Sequence, residues 1–274
     1  MKKFLLSVLL PVVLCFAVAP ALAGAGLSAE AVDLADTDKV LIRLTDMELS
    51  DDDLTLKFYF ENRSDITAMF SINSSVVNGY AVDFLCAVEV APGQKSNQSV
   101  VVYDLAEYGI TDAVSMIDLE FRVFDSNDWF ADDLLRQHFV LYPLGEENAV
   151  IREREPQDSD TLLTDNDSVS VTVLGFGEDP LWGYTAYIYL VNKTDTPLTF
   201  SCDDVSVNGF MVDPFWAENV PANARCYSEI SWPDARLKEN GIETVEEIEF
   251  TLSAHDSYDW MADNVLDETY VINP

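Results

Sequence analysis

The sequence predicts an all-β chain of two tandem antiparallel β-sandwich domains, each with about seven strands. Three observations lead there: short runs in which apolar and polar residues alternate, Asn-Gly and Pro-Gly turn signals between the runs, and a self-match of the two halves at an offset of 130 residues.

The N-terminus comes first. Lys2 and Lys3 precede an apolar run that ends in Ala21-Leu22-Ala23, a small-x-small site suited to a signal peptidase. The run is short and broken by Pro11 and Pro20, which argues against an uncleaved anchor, and bulky Leu14 before Cys15 argues against lipid attachment there. Residues 1–23 are therefore expected to be a signal peptide. Residues 24–37 follow as an N-terminal tail, 38–143 as the first module, 144–165 as an acidic linker and 166–274 as the second module. No later segment is long and apolar enough to span a bilayer, so a secreted, extracellular product is expected.

In the first module, Leu54, Leu56, Phe58 and Phe60 alternate with Thr55, Lys57, Tyr59 and Glu61. The second places Tyr184, Ala186, Ile188 and Leu190 at the same offset. Both runs read as half-buried strands. Each ends in a polar turn, Asn62-Arg63-Ser64-Asp65 or Asn192-Lys193-Thr194-Asp195, whose short side chains can hydrogen-bond the turning backbone. The strings VVNGY at 76–80 and SVNGF at 206–210 predict hairpins, because Asn and Gly both tolerate positive φ. Ala91-Pro92-Gly93 and Pro221-Ala222-Asn223 are loops that lead to strands at 98–103 and 226–232. A short polar turn ending at Gly109 or Gly241 comes next, and alternation resumes at Ile117, Leu119, Phe121 and Val123 and at Ile248, Phe250, Leu252 and Ala254. The offset is then 131, a slip of one residue that falls between strands. The linker is polar and charge-rich, contains Pro156 and lacks clear periodicity, with some order expected around Ala149–Ile151.

These motifs together, the NxSD or NKTD turn, the VNG hairpin, the PG or PA loop, the Gly-Ile turn and the IxFxLxxxDSxDW stretch, resemble the tandem immunoglobulin-like modules of uncharacterised secreted proteins from Gram-positive gut bacteria. The resemblance covers both modules and implies an immunoglobulin-like β-sandwich for each. It brings no activity and no catalytic residue. The Cys…Trp…Cys spacing of antibody domains is absent.

A net charge of −34 makes nucleic acid and anionic membranes poor partners, while 49% hydrophobic residues are ample for packed cores. Cys202 and Cys226 could form one disulfide, worth roughly 3 kcal/mol by loop entropy, or Cys86, Cys202 and Cys226 could be three buried thiols. No Cys/His spacing suggests zinc.

The most distinctive repeated string is DSNDWFADD at 125–133, matched by DSYDWMADN at 256–264. Asp125, Asp128 and Asp132 recur as Asp256, Asp259 and Asp263, and clustered carboxylates are what calcium requires. Alternatively, Asp and Ser cap a short helix and Trp129 and Trp260 anchor the core. No other cofactor is implied. Phe84, Leu85, Phe215 and Trp216 follow the hairpins and would, if exposed, form a patch for a protein or glycan partner; buried, they close one end of the sandwich. His138 and His255 lack a histidine in the other copy, and no GxSxG, HExxH or Gly-rich phosphate loop occurs, so catalysis has little support. The expectation is a secreted, non-enzymatic binding or interaction protein. The alternatives are a calcium-stabilised spacer and, behind it, a carboxylate-dependent hydrolase.

Overall fold

A computed structural model describes residues 12–15, 31–50, 52–111, 113–151, 153–214, 216–259 and 261–274, with residues 12–15 described by backbone only. The expected signal peptide and tail lie largely outside this set. The chain divides into two compact units, Met1–Arg152 and Glu153–Pro274, and both are all-β. Among the described residues no helix is long and apolar enough to cross a membrane.

Unit 1 contains β1 (Val12–Cys15), β2 (Val32–Asp36), β3 (Val40–Ser50), β4 (Asp53–Asn62), β5 (Ala68–Val77), β6 (Tyr80–Ala81), β7 (Ala87–Val90), β8 (Lys95–Val102), β9 (Ile117–Asp125) and β10 (Leu135–Tyr142). One antiparallel sheet runs β2-β3-β4-β8. The other places β9 between β10 and β5, with β6 and β7 both on β5, at opposite ends of it. β1 pairs in parallel with β10, Val12 opposite Phe139.

Unit 2 contains β11 (Thr161–Asp165), β12 (Val169–Asp179), β13 (Gly183–Asn192), β14 (Leu198–Val207), β15 (Phe210–Met211), β16 (Ala217–Val220), β17 (Arg225–Trp232), the helix α1 (Asp234–Glu239), β18 (Ile248–Asp256) and β19 (Leu266–Ile272). Its sheets, β11-β12-β13-β17 and β19-β18-β14 with β15 and β16 on β14, repeat those of unit 1.

The alternation explains the layers. Leu54, Leu56, Phe58 and Phe60 are fully buried, and their sheet packs on the other through Phe58 against Phe121, 5.3 Å between centroids and edge-to-face. Fully burying each such side chain contributes about 1.5–3 kcal/mol. In unit 2, Ala186, Ile188 and Leu190 are buried as predicted, whereas Tyr184 is half-buried.

Two boundaries differ from expectation. β2 lies in the expected tail and β11 in the expected linker; each hairpins onto the next strand through a polar turn that the alternation of the longer strands does not reveal. Thr37 Oγ1 accepts the amides of Lys39 and Val40, and Asn166 Oδ1 accepts those of Ser168 and Val169. Two further linker residues are held as well: Val150 N donates to Ser115 Oγ at 3.0 Å, and Arg154 forms a bidentate pair with Asp160.

The repeat slips more than once. Thr37 matches Asn166 at an offset of 129, Asn62 matches Asn192 at 130, Gly109 matches Gly241 at 132, and Asp125 matches Asp256 at 131. Every change falls in a connection, first in the β12–β13 turn and then around α1, which replaces a single 3-10 turn at Leu105–Tyr108. Inserted residues there leave the ladders intact.

Two hydrogen-bonded amides hold the frame in each copy, buried except for the half-buried Asn208. Asn62 Nδ2 donates to the carbonyls of Ile66 and Val90, both at 2.7 Å, while its Oδ1 accepts from Ser64 N and Oγ. Asn192 makes the same bonds with Thr196, Val220 and Thr194. Asn78 and Asn208 sit at φ 49° and 50°, each followed by a glycine of positive φ, as a two-residue hairpin turn requires. Their side chains also reach the segment before the next strand: Asn78 bonds Ala113, Ser115 and Met116, and Asn208 bonds Thr244, Glu246 and Glu247.

Candidate interaction turns

The repeated DSxDW strings form the turns between β9 and β10 and between β18 and β19. Asp125, the last residue of β9, accepts the amide of Asn127 at 2.9 Å, and Asp128 accepts that of Phe130 at 3.1 Å. In unit 2 Asp256 accepts from Tyr258 at 2.8 Å and Asp259 from Met261 at 3.1 Å. Each string is thus two successive turns closed by an Asp side chain, a use for which a short acceptor is suited. Backbone bonds repeat as well, from Ser126 N to Thr67 O and from Ser257 N to Pro197 O.

That arrangement uses Asp125, Asp128, Asp256 and Asp259 as turn-closing acceptors. Among the described residues no three His, Cys, Asp or Glu side chains are grouped to hold a metal ion, although Asp125, Asp128, Asp132, Asp256, Asp259 and Asp263 are all described. Asp132 and Asp263 point into solvent.

The expected helix and inward Trp129 need correction. The segment has no helical residues, and Trp129 is 65% exposed, its ring 5.3 Å from that of Phe124 on the outer face of the sheet. Arg122 lies 4.2 Å over the Phe124 ring and pairs with Asp133 at 2.8 Å, and Trp129 stays outside the core. Phe130 is wholly exposed. The tip of the second copy exposes Tyr258 and Met261, while Trp260 lies outside the described residues. Both tips are therefore apolar, held out by Asp-capped backbone. The signal in the sequence was bulky apolar residues at turn positions, where polar ones are the rule.

The patch expected from the hairpin-following segment is divided. Phe84 is buried, because Ser75 Oγ donates to Val82 O and accepts from Phe84 N, drawing the segment inward; Leu85 points out, 87% exposed. Trp216 is half-buried and donates through Nε1 to Ser228 Oγ at 3.0 Å; Phe215 lies outside the described residues.

Cys202 and Cys226 are not joined. Both are buried thiols, on β14 and β17, which belong to opposite sheets of unit 2. Cys226 donates to Tyr227 O at 3.2 Å. Burial raises the Cys202 thiol pKa, helped by the nearby Asp203 and Asp213 carboxylates, and pushes that of Cys86 up to about 11, so neither is set up as a nucleophile. His138 lies on the outer face of unit 1, with Nδ1 3.1 Å from Asp118 Oδ1 and beside the Glu120–Arg136 pair.

No family model matches the chain, and no curated protein matches it. Among solved structures it is similar to the YadV chaperone, at 10% identity and a TM-score of 0.24 over 80% of this chain and 92% of that one. It is also similar to a protein of unknown function from Porphyromonas gingivalis W83, at 10% identity and a TM-score of 0.23 over 83% and 95%. A third likeness, to the complex of the Salmonella enterica SafA pilin with the SafB chaperone, has 12% identity and a TM-score of 0.23 over 80% and 89%. Scores this low carry no argument about what the chain does.

Proposed function

We propose that the chain is an exported, non-enzymatic binding protein whose two immunoglobulin-like modules present apolar turns to a protein partner. Connectivity supports the architecture: β3, β4 and β8 form one sheet, and the intervening β5 crosses to join β9 and β10 in the other, the Greek-key order of such domains. Export rests on residues 1–23.

The observation that carries the binding reading is that the same Asp-capped turn recurs in both units and exposes Trp129 and Phe130 in one and Tyr258 and Met261 in the other. Large apolar side chains held out on a rigid turn are favourable anchors for association. A photo-crosslinking residue in place of Phe130 or Met261 tests this on the full chain in extracellular surface extracts, with exposed Asp158 as the control position. Support is an adduct of one size from 130 or 261 that unlabelled protein competes away and a Trp129→Ala/Phe130→Ala variant does not. Equal labelling from all three positions overturns the proposal.

A further inference from the structure

Unit 2 has residues without a counterpart in unit 1 at two places, the β12–β13 turn and the segment around α1. The second of these places, together with Glu178 and Tyr184 on the strands beside the first, lines one cavity of about 530 Å³, within the range of small-molecule sites.

Its chemistry is mixed in a particular way. Leu237 of α1 is buried at the helix base and Tyr184 of β13 adds an aromatic wall. The Tyr184 ring is held between Phe176, stacked at 6.0 Å with planes 20° apart, and Trp232 at 6.4 Å. Around these lie three carboxylates, Glu178, Asp234 and Glu243, against the single cation of Lys238, which is already engaged by Asp234 at 2.8 Å. The Tyr184 hydroxyl pKa is raised, first by burial and then by the Glu178 charge, in keeping with a negative field inside the cavity.

We propose that this cavity binds a small organic cation, an ammonium group on an apolar body. Glu178 and Glu243 supply the charge that attracts a cation, and the apolar body rests on Leu237 and Tyr184. Anionic ligands meet repulsion here and from a chain of net charge −34.

Titration of the full chain with benzyltrimethylammonium, followed by calorimetry and by amide chemical shifts, provides the test. Expected are saturable binding with shifts confined to residues 176–184 and 234–245, and affinity about tenfold weaker for the neutral benzyl alcohol. A Glu178→Gln/Glu243→Gln variant should lose about tenfold as well. Both glutamates are exposed, so the variant should fold, and its unchanged spectrum elsewhere confirms that. Three results would overturn the proposal: no saturation at millimolar probe, equal affinity for the alcohol, or an unaffected variant. Binding of glucose in preference to the ammonium would do so too.

Discussion

The two units share a frame and fill it differently. In unit 1, Phe58, Phe60, Phe70, Phe121 and Phe139 form one aromatic cluster, with stacked and edge-to-face rings 5.0–6.1 Å apart. At the matching positions unit 2 has Ile188, Leu190, Phe200, Leu252 and Tyr270, and Trp232 replaces Val102. The refilled core keeps a void of about 10 Å³ lined by Val171, Ile188, Trp232 and Leu252, with no polar group to hold a water. The outer faces differ too. Unit 1 pairs Asp118 with His138 and Glu120 with Arg136, whereas unit 2 links Thr251 to Thr269 and Ser201 to Ser253 through hydroxyls. What does not change is the pair of amides, Asn62 with Asn78 and Asn192 with Asn208. Core volume is therefore redistributable between residues, while the hydrogen-bonded amide pins are not.

The strongest test of that contrast removes a pin. Asn62→Ala strands the carbonyl of Val90 and the amide of Ser64, and Asn192→Ala does the same to Val220 and Thr194. Each should cost about 4 kcal/mol, since several partners lose their bonds at once. Unit-resolved hydrogen exchange should show equal losses in the two units; a loss in one alone would break the claim that the frame is common.

Next in size comes a position where the copies differ. Gly183 has φ +87°, and a Cβ there would lie 2.4 Å from Trp232 O and 2.8 Å from Asp234 N, both backbone atoms that cannot yield cheaply. Gly183→Ala should destabilise unit 2 by about 3 kcal/mol. Its counterpart Asp53 has a side chain, which accepts the amide of Asp104 at 3.0 Å, so Asp53→Ala should cost unit 1 no more than about 1 kcal/mol. Four of the five tryptophans, including Trp182, Trp216 and Trp232, fall in unit 2, so tryptophan fluorescence reports the first change far more than the second.

The parts legible in the sequence are those set by local rules. Alternation located β4, β9, β13 and β18, and Asn-Gly located both hairpins, because pleat period and positive φ are properties of a few adjacent residues. β2 and β11 escaped notice since each is short and becomes a strand only by pairing with the next. Burial was legible only where alternation applied: Phe84 and Leu85 are neighbours with opposite fates, decided by Ser75 on another strand. The acidic strings were legible with two readings, Asp capping and calcium, because a carboxylate that closes a turn and one that binds a cation have the same spelling.

That ambiguity leads to a smaller effect. Asp125→Ala and Asp256→Ala each remove one turn-closing acceptor and should destabilise their own unit by about 1 kcal/mol. Chelator should leave the melting temperature of the unmodified chain unchanged. A drop on chelation, recovered with calcium, would show that the Asp-capped turns hold an ion after all.

The smallest expected effect is a dependence on pH that His138 gives unit 1. The pKa of His138 is raised, chiefly by its hydrogen bond to Asp118, with Glu120 adding attraction while burial and Arg136 oppose it. The folded unit therefore binds the imidazole proton more tightly than the unfolded chain does. The stabilisation is full below the unfolded value of about 6.5 and is lost as pH rises through the folded one. Hydrogen exchange between pH 5.5 and 8 should show unit 1 weakening relative to unit 2, where Thr269 occupies the matching position. The ring is partly exposed, so solvent screens the pair and the slope is modest. His138→Gln should flatten it; a slope that survives the substitution would assign the pH dependence to another group.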